Sequence, residues 1–299
     1  MAATHGMANL TSAPAWKTRL SDYYILTKPE VNLLILMTTS AGYALASHRP
    51  FHALGLVNTL VGTLLVASGT ATLNQWMERV WDGRMRRTAS RPLPSGRMAA
   101  AEALGFGLLL SVAGGLYLAA TVNLVAAGLA MATLLSYLLI YTPLKRRTPL
   151  CTLLGAFPGA MPTLIGWAGA SGRIDPPAWF LFAILFLWQF PHFLAIALMY
   201  REDYARAGYK MLPAFDREGR FTRAEILGLT LVLIVTTLLP AGRGGPLYGV
   251  AMAVAGGFLL YYVAKLTRSA SSVLASRVVH ASVIYLPVVL AVVVVAFKS

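Results

Sequence analysis

Stretches of mostly apolar residues, each close to 20 long, recur nine times along the chain, at about 30–47, 53–79, 99–119, 123–141, 150–170, 177–200, 223–240, 246–264 and 277–297. Each is long enough to cross a ~30 Å hydrocarbon core as a helix, the conformation that satisfies its own backbone groups where no water can. The polar segments between them are short. The pattern predicts an all-α polytopic membrane protein, a bundle of nine transmembrane helices forming one domain over residues 21–299. Residues 1–20 are polar, interrupted by Pro14 and without the apolar core of a secretory signal, and predict a short flexible tail.

Composition agrees: 57% of the residues are hydrophobic and 12% charged, against about a quarter charged in a soluble domain. The net charge of +14 would suit a nucleic-acid binder, but its distribution argues for no nucleic acid. Numbering the spans alternately leaves only Arg49, Arg173, Arg243 and Lys298 on one side, so 21 of the 25 Lys and Arg residues (25 − 4) fall on the other. An excess of cations marks the cytoplasmic side, which places the N-terminus in the cytoplasm and the C-terminus outside. Ten of the eleven acids, all but Asp175, share the cytoplasmic side. Orientation does not require acids there, and their concentration points to chemistry on that face. Cys151 is the only cysteine, which excludes an intramolecular disulfide and a cysteine metal cluster.

The richest polar segment is the end of the second span. Asn74, Glu78 and Asp82 recur every four residues, one stripe of a helix. An amide and two carboxylates on one stripe offer the hard oxygens that Mg²⁺ uses together with substrate phosphates. Arg79, Arg84, Arg86, Arg87 and Arg91 follow, and arginine grips phosphate oxygens in a bidentate fashion. Taken alone, the segment equally fits a cytoplasmic helix end with topogenic arginines. The loop after span 6 holds Tyr200, Glu202, Asp203, Tyr204, Arg206 and Tyr209. Glu202 and Arg206 are spaced to pair. Asp203 has no partner at i+4, which makes it the better candidate metal ligand. Loop 4/5 adds Lys145, Arg146 and Arg147, which also fit a simple inside-positive anchor. Carboxylates and cations beside an apolar bundle suit a ligand with a polyanionic head and an apolar tail, such as a prenyl diphosphate.

Span 6 contains Trp188-Gln189-Phe190-Pro191-His192-Phe193. A polar side chain inside a span is by default functional; the plainer alternative is a histidine steadying a proline kink. On a continuous helix His192 would share a face with Asp203, eleven residues on and roughly 16 Å away. The Gly155–Pro162 run of span 5 reads as close packing that also shapes a cavity wall.

These segments, in this order, resemble the UbiA-type intramembrane prenyltransferases, and within them the branch that acts on heme. The likeness runs from Leu26-Thr27-Lys28-Pro29 through span 9. It includes Asn74-Gln75…Glu78…Asp82, Arg87-Thr88…Arg91-Pro92-Leu93, Tyr141-Thr142-Pro143-Leu144-Lys145-Arg146, Trp188-Gln189…Pro191-His192-Phe193 and Glu202-Asp203-Tyr204…Met211-Leu212-Pro213. The family's first motif is Asn-x-x-x-Asp-x-x-x-Asp; here Glu78 takes the middle place, keeping charge and oxygens. Tyr200 and Tyr204 stand where quinone-type relatives carry a second Asp-x-x-x-Asp, a departure that favours heme. The resemblance implies transfer of farnesyl from farnesyl diphosphate to a vinyl group of heme b, giving heme O for terminal oxidase biogenesis. It implies Mg²⁺ as cofactor, bound by Glu78, Asp82, Glu202 and Asp203. Asn74, Glu78, Asp82 and Asp203 would be the catalytic group. Lys28, Arg87, Arg91, Lys145 and Arg146 would bind the diphosphate. His192, Tyr200 and Tyr204 would bind heme, with Tyr209 beside them. The location implied is the bacterial inner membrane, with the site on the cytoplasmic side and transient contact with a heme A synthase or oxidase assembly factors. Alternatives are a prenyltransferase acting on an aromatic quinone precursor, and a non-catalytic membrane protein that handles or transports heme.

Overall fold

The structure, a computed structural model, describes residues 15–216 and 218–298. Helix α1 (Ala15–Thr27) leads into α2 (Pro29–Ala46) and α3 (Ala53–Asp82). Next come α4 (Ala100–Thr121) and α5 (Leu124–Ser136), the latter continued by a π-helical turn at Tyr137–Tyr141 and by α6 (Thr142–Leu144). The rest is α7 (Cys151–Ser171), α8 (Pro176–Met199), α9 (Arg201–Arg206), α10 (Arg220–Leu238), α11 (Ala241–Arg268) and α12 (Ser272–Lys298). The expected tail lies mostly outside the described residues, and from Ala15 the chain is helical rather than loose.

Eight helical spans are long and apolar enough to cross a membrane, counting Leu124–Leu144 as one. The protein is thus an all-helical integral membrane bundle. The first expected span forms the 18-residue helix α2, which is not among those eight. Proline opens α2 and α8 at the helix start, where its missing N–H costs nothing. Asn123 caps α5 by accepting from the Ala126 amide at 2.8 Å, while its own amide donates to Ala168 O on α7. α11 contains one non-helical residue, Gly245 (φ 81), so its apolar run starts afresh at Pro246, the expected boundary.

Small residues let the helices approach closely, as they must where lipid tails are as apolar as the side chains. On α2 and α7, a Cβ at Gly42 would strike Thr163 O, and one at Gly166 would strike Thr39 O. The largest core cluster gathers α7, α8, α10, α11 and α12 around Trp188, Leu233, Leu259 and Tyr285. Connections meet at two ends of the bundle. At one, α1 is tied by Asp22 to Arg97 and by Arg19 and Tyr23 to Glu102. The segment after α3 and the loop after α9 join the same end.

Candidate active site

The chain reverses sharply between α1 and α2, at Lys28, the one described non-glycine residue with positive φ (51°). The turn leaves the last carbonyls of α1 without helical partners, and side chains take them up. Gln75 donates to Leu26 O at 2.8 Å, Thr72 to the same oxygen at 3.4 Å, and Asn32 to Thr27 O at 2.9 Å. So anchored, Lys28 extends its ammonium to Asn74 Oδ1 at 3.1 Å. The Asn74 amide donates in turn to Thr142 Oγ1 at 3.1 Å.

Thr142 follows the π-helical turn, and its hydroxyl donates back to Tyr137 O at 2.9 Å. π-turns inside α-helices cluster at functional sites, and this one brings Lys145 under α3. Lys145 Nζ donates to both Glu78 oxygens, at 2.9 and 3.2 Å, and lies 4.5 Å from the Tyr141 ring centre. Gly155 on α7 leaves the room that Tyr141 fills. Burial, the largest single influence, opposes the charge on Lys145, but Glu78 together with Tyr141, Tyr137 and Tyr209 holds the ammonium well above its ordinary value. Lys28 has no such partner. Burial first, then Arg91 and Lys145, pull its ammonium down to about 7.

One turn beyond Glu78, Asp82 accepts from Arg91 at 2.7 Å, and Thr88 caps α3 by donating to Asp82 O. Asn74, Glu78 and Asp82 are all buried, as their shared stripe predicts. Two carboxylates therefore face three basic side chains, Lys28, Lys145 and Arg91, an excess of one positive charge when Lys28 is protonated. Tyr209 closes the site from the loop after α9. It is 4% exposed, its hydroxyl faces Glu78 without a hydrogen bond of normal length, and its ring centre is 6.0 Å from Lys145 Nζ. Burial, then the Glu78 carboxylate, push its phenol well above the ordinary value, so it remains a donor.

Other expected residues lie elsewhere. α8 ends at Met199 and α9 starts afresh at Arg201, with Tyr200 non-helical between them (φ −108, ψ 27), so His192 and Asp203 do not share a continuous helix. Asp203 is not without a partner. It pairs with Arg206 and accepts from the backbone amides of Arg86 and Arg87 at 3.3 and 3.4 Å, clamping the turn after α3 onto α9. The pairing expected for Glu202 thus goes to its neighbour, and Glu202 itself is exposed. Tyr200 and Tyr204 flank the Arg87 guanidinium, at 4.7 and 5.9 Å from their ring centres, rather than His192. Arg146 is exposed and stacks on Trp81 at 3.7 Å. Among the described residues no three His, Cys, Asp or Glu side chains converge as a metal site.

His192 stands on α8 against α12, its Nδ1 2.8 Å from Ser282 Oγ and its ring stacked on Trp188 at 4.7 Å. The sequence gives no role to the supports of the site, Gln75, Thr72, Asn32 and Thr142, and it sets Tyr209 beside the heme residues, whereas the structure brings that ring to Lys145. The pair Asn74-Gln75 was the available signal, two adjacent amides at the end of an apolar span.

Comparison with known families matches residues 35–296 to the UbiA prenyltransferase family. The chain belongs to the UbiA prenyltransferase family. Among curated relatives of this UbiA chain, the protoheme IX farnesyltransferase of Solibacter usitatus (strain Ellin6076) is 48% identical over 281 residues, 90% of this chain and 96% of that one. That of Koribacter versatilis (strain Ellin345) is 42% identical over 294 residues, covering 93% and 94%. A solved digeranylgeranylglyceryl phosphate synthase superposes with a TM-score of 0.75 at 20% identity, covering 94% of this chain and all (100%) of that one. A UbiA homolog from Archaeoglobus fulgidus bound to DMAPP and Mg²⁺ superposes at 0.64 with 15% identity, covering 91% and 99%. These two likenesses establish the fold, a helical bundle of the UbiA type.

Proposed function

We propose that this chain transfers the farnesyl group of farnesyl diphosphate to a vinyl group of heme b, giving heme O. The observation that carries the reading is the half-buried set of Lys28, Lys145 and Arg91 around the buried Glu78 and Asp82, on a chain 40–48% identical to protoheme IX farnesyltransferases. The cationic excess and the Tyr209 hydroxyl suit a diphosphate. The donor set also fits Mg²⁺: two buried carboxylates one turn apart are the share that a protein supplies when substrate phosphates complete the shell. Glu78 and Asp82 would hold it, with Asp203 steadying the arginine turn and Glu202 outside the shell. Bound there, Mg²⁺ supplies Lewis-acid stabilisation of the leaving diphosphate.

The residues of the chain do the rest. Lys28, Lys145 and Arg91 neutralise the diphosphate oxygens as the allylic C–O bond breaks, and Tyr209 donates to them. Arg87, held between Tyr200 and Tyr204, grips the outer phosphate, with Arg146 at the rim. Asn74 fixes the Lys28 ammonium. The apolar bundle keeps water from quenching the allylic cation until the vinyl carbon has attacked. Water then adds to complete the hydroxyethylfarnesyl side chain. His192 orients the heme from α8.

Topology follows the same reading. Residues 21–299 form one domain of nine spans, α2 included, with the N-terminus cytoplasmic, the C-terminus external and the charged end facing the cytoplasm of a bacterial inner membrane. Reporter fusions after Arg147 and Lys298 should read cytoplasmic and external, respectively. The functional test is diphosphate release from farnesyl diphosphate in membranes holding the protein. Release that needs both heme b and Mg²⁺ supports the reading, and release driven instead by an aromatic quinone precursor overturns it.

A further inference from the structure

His192 is set in a small polar clasp between α8 and α12. On α8, Trp188 precedes it by four residues and Gln189 by three, so His192 lies on the stripe between their directions. Trp188 faces α12, its Nε1 donating to Ser282 O at 2.7 Å, and Gln189 faces α7, donating to Ala156 O at 2.9 Å. α2, which leads from Lys28, packs against both α7 and α12. The imidazole therefore stands between the helices that α2 closes over.

The clasp constrains the proton on the ring. Ser282 is fully buried, and its single hydroxyl hydrogen is donated to Val279 O at 2.7 Å. At His192 Nδ1, 2.8 Å away, Oγ accepts whenever its hydrogen stays on the Val279 carbonyl. In that arrangement a bare Nδ1 would set two lone pairs against each other inside the bundle, so the clasp calls for the hydrogen on Nδ1. The other nitrogen, Nε2, makes no hydrogen bond to any described residue. Trp188, itself 2% exposed, stacks on the ring with 19° between planes and holds the plane of the imidazole.

We infer that Ser282 is a positioning residue for His192, holding the imidazole as the Nδ1–H tautomer so that Nε2 is presented bare to the iron of a heme substrate. This rests on heme binding at His192. Metal-ligating histidines in general donate their second N–H to a neighbouring acceptor, which fixes the tautomer and raises the basicity of the ligating nitrogen. Here a serine oxygen on another helix supplies that acceptor, so heme seating also depends on the α8–α12 packing.

Two measurements test the inference. In ¹⁵N NMR of the heme-free protein with labelled histidine, the signal lost in His192→Ala should show a protonated Nδ1 and an unprotonated Nε2; the opposite tautomer overturns the inference without any Ser282 variant. In the second, ferrous heme b is titrated into purified wild type, His192→Ala, Ser282→Ala and Ser282→Thr, following affinity and the iron–imidazole stretch by resonance Raman. Ser282→Ala should bind heme about tenfold more weakly with a lower stretching frequency, Ser282→Thr should restore both, and affinity for a farnesyl diphosphate analogue should be unchanged. If His192→Ala keeps the iron–imidazole stretch, the heme-ligand reading itself fails. If that variant loses it while Ser282→Ala matches wild type in affinity and frequency, only the role of Ser282 is refuted.

Discussion

The two ends of the bundle use polar groups in opposite ways. At the end away from α1, polar side chains are neutral and satisfied: Asn123 bridges α5 to Ala168 O, Tyr117 donates to Asn58 at 2.9 Å, and Tyr43 donates to His52 O at 3.0 Å. The ion pair there, Arg173–Asp175, is 75% exposed at the arginine and adds little to stability. At the end near α1, two buried carboxylates sit among half-buried basic side chains that outnumber them, and a phenol hydroxyl makes no hydrogen bond of normal length. A protein gains no stability from that second arrangement, since desolvating ions costs as much as pairing them returns. Neutral bridges hold helices together, whereas an unbalanced charge set is kept because something anionic completes it.

Substitutions should separate the two ends. The largest effect belongs to Asp82→Ala, which removes a buried carboxylate from the charged set: heme O formation, assayed in membranes, should fall by about 10³-fold while the protein stays inserted. Lys145→Met leaves Glu78 buried without its cation and should cost about 3 kcal/mol of stability, read as a lowered thermal midpoint in detergent, together with activity. Gln75→Leu leaves the Leu26 carbonyl only the long 3.4 Å bond from Thr72 and loosens the Lys28 turn. Its KM for farnesyl diphosphate should rise about tenfold, as loss of one buried hydrogen bond predicts.

A smaller effect concerns pH. The Lys28 ammonium sits at about 7 in the free protein, so its charge is present below that pH and lost above it. kcat/KM for farnesyl diphosphate, which reports the free enzyme, should decline as pH rises through about 7, and Lys28→Arg should abolish that decline. The smallest effect, at the opposite end, is Asn123→Ala: about 1 kcal/mol of stability from a lost cap, with heme O formation unchanged. A comparable loss of activity there would erase the distinction between the ends.

Much of this was legible before the structure. Apolar runs located every long helix, because a ~20-residue span is written in one contiguous stretch. The stripe of Asn74, Glu78 and Asp82 was legible for the same reason, since i, i+4 spacing is local. What failed depended on contacts between distant segments. Asp203 looked unpaired because only i+4 was considered, whereas its partners are Arg206 at i+3 and two amides more than a hundred residues away. The contact of Tyr200 and Tyr204 with Arg87, which comes from another loop, is likewise invisible in local spacing. The break at Tyr200 carries no proline or glycine to announce it. The π-turn that delivers Lys145, and the Ser282 acceptor behind His192, follow from packing and leave no mark in the local sequence.

The central claim is that the charged end releases diphosphate while the heme at α8 receives the farnesyl carbon. Its most direct test is mass spectrometry of the heme recovered after incubating purified protein in lipid with farnesyl diphosphate, heme b and Mg²⁺. The account predicts a heme heavier by one hydroxyfarnesyl addition, formed in step with diphosphate and absent when Mg²⁺ is chelated. Unmodified heme recovered beside released diphosphate would contradict it.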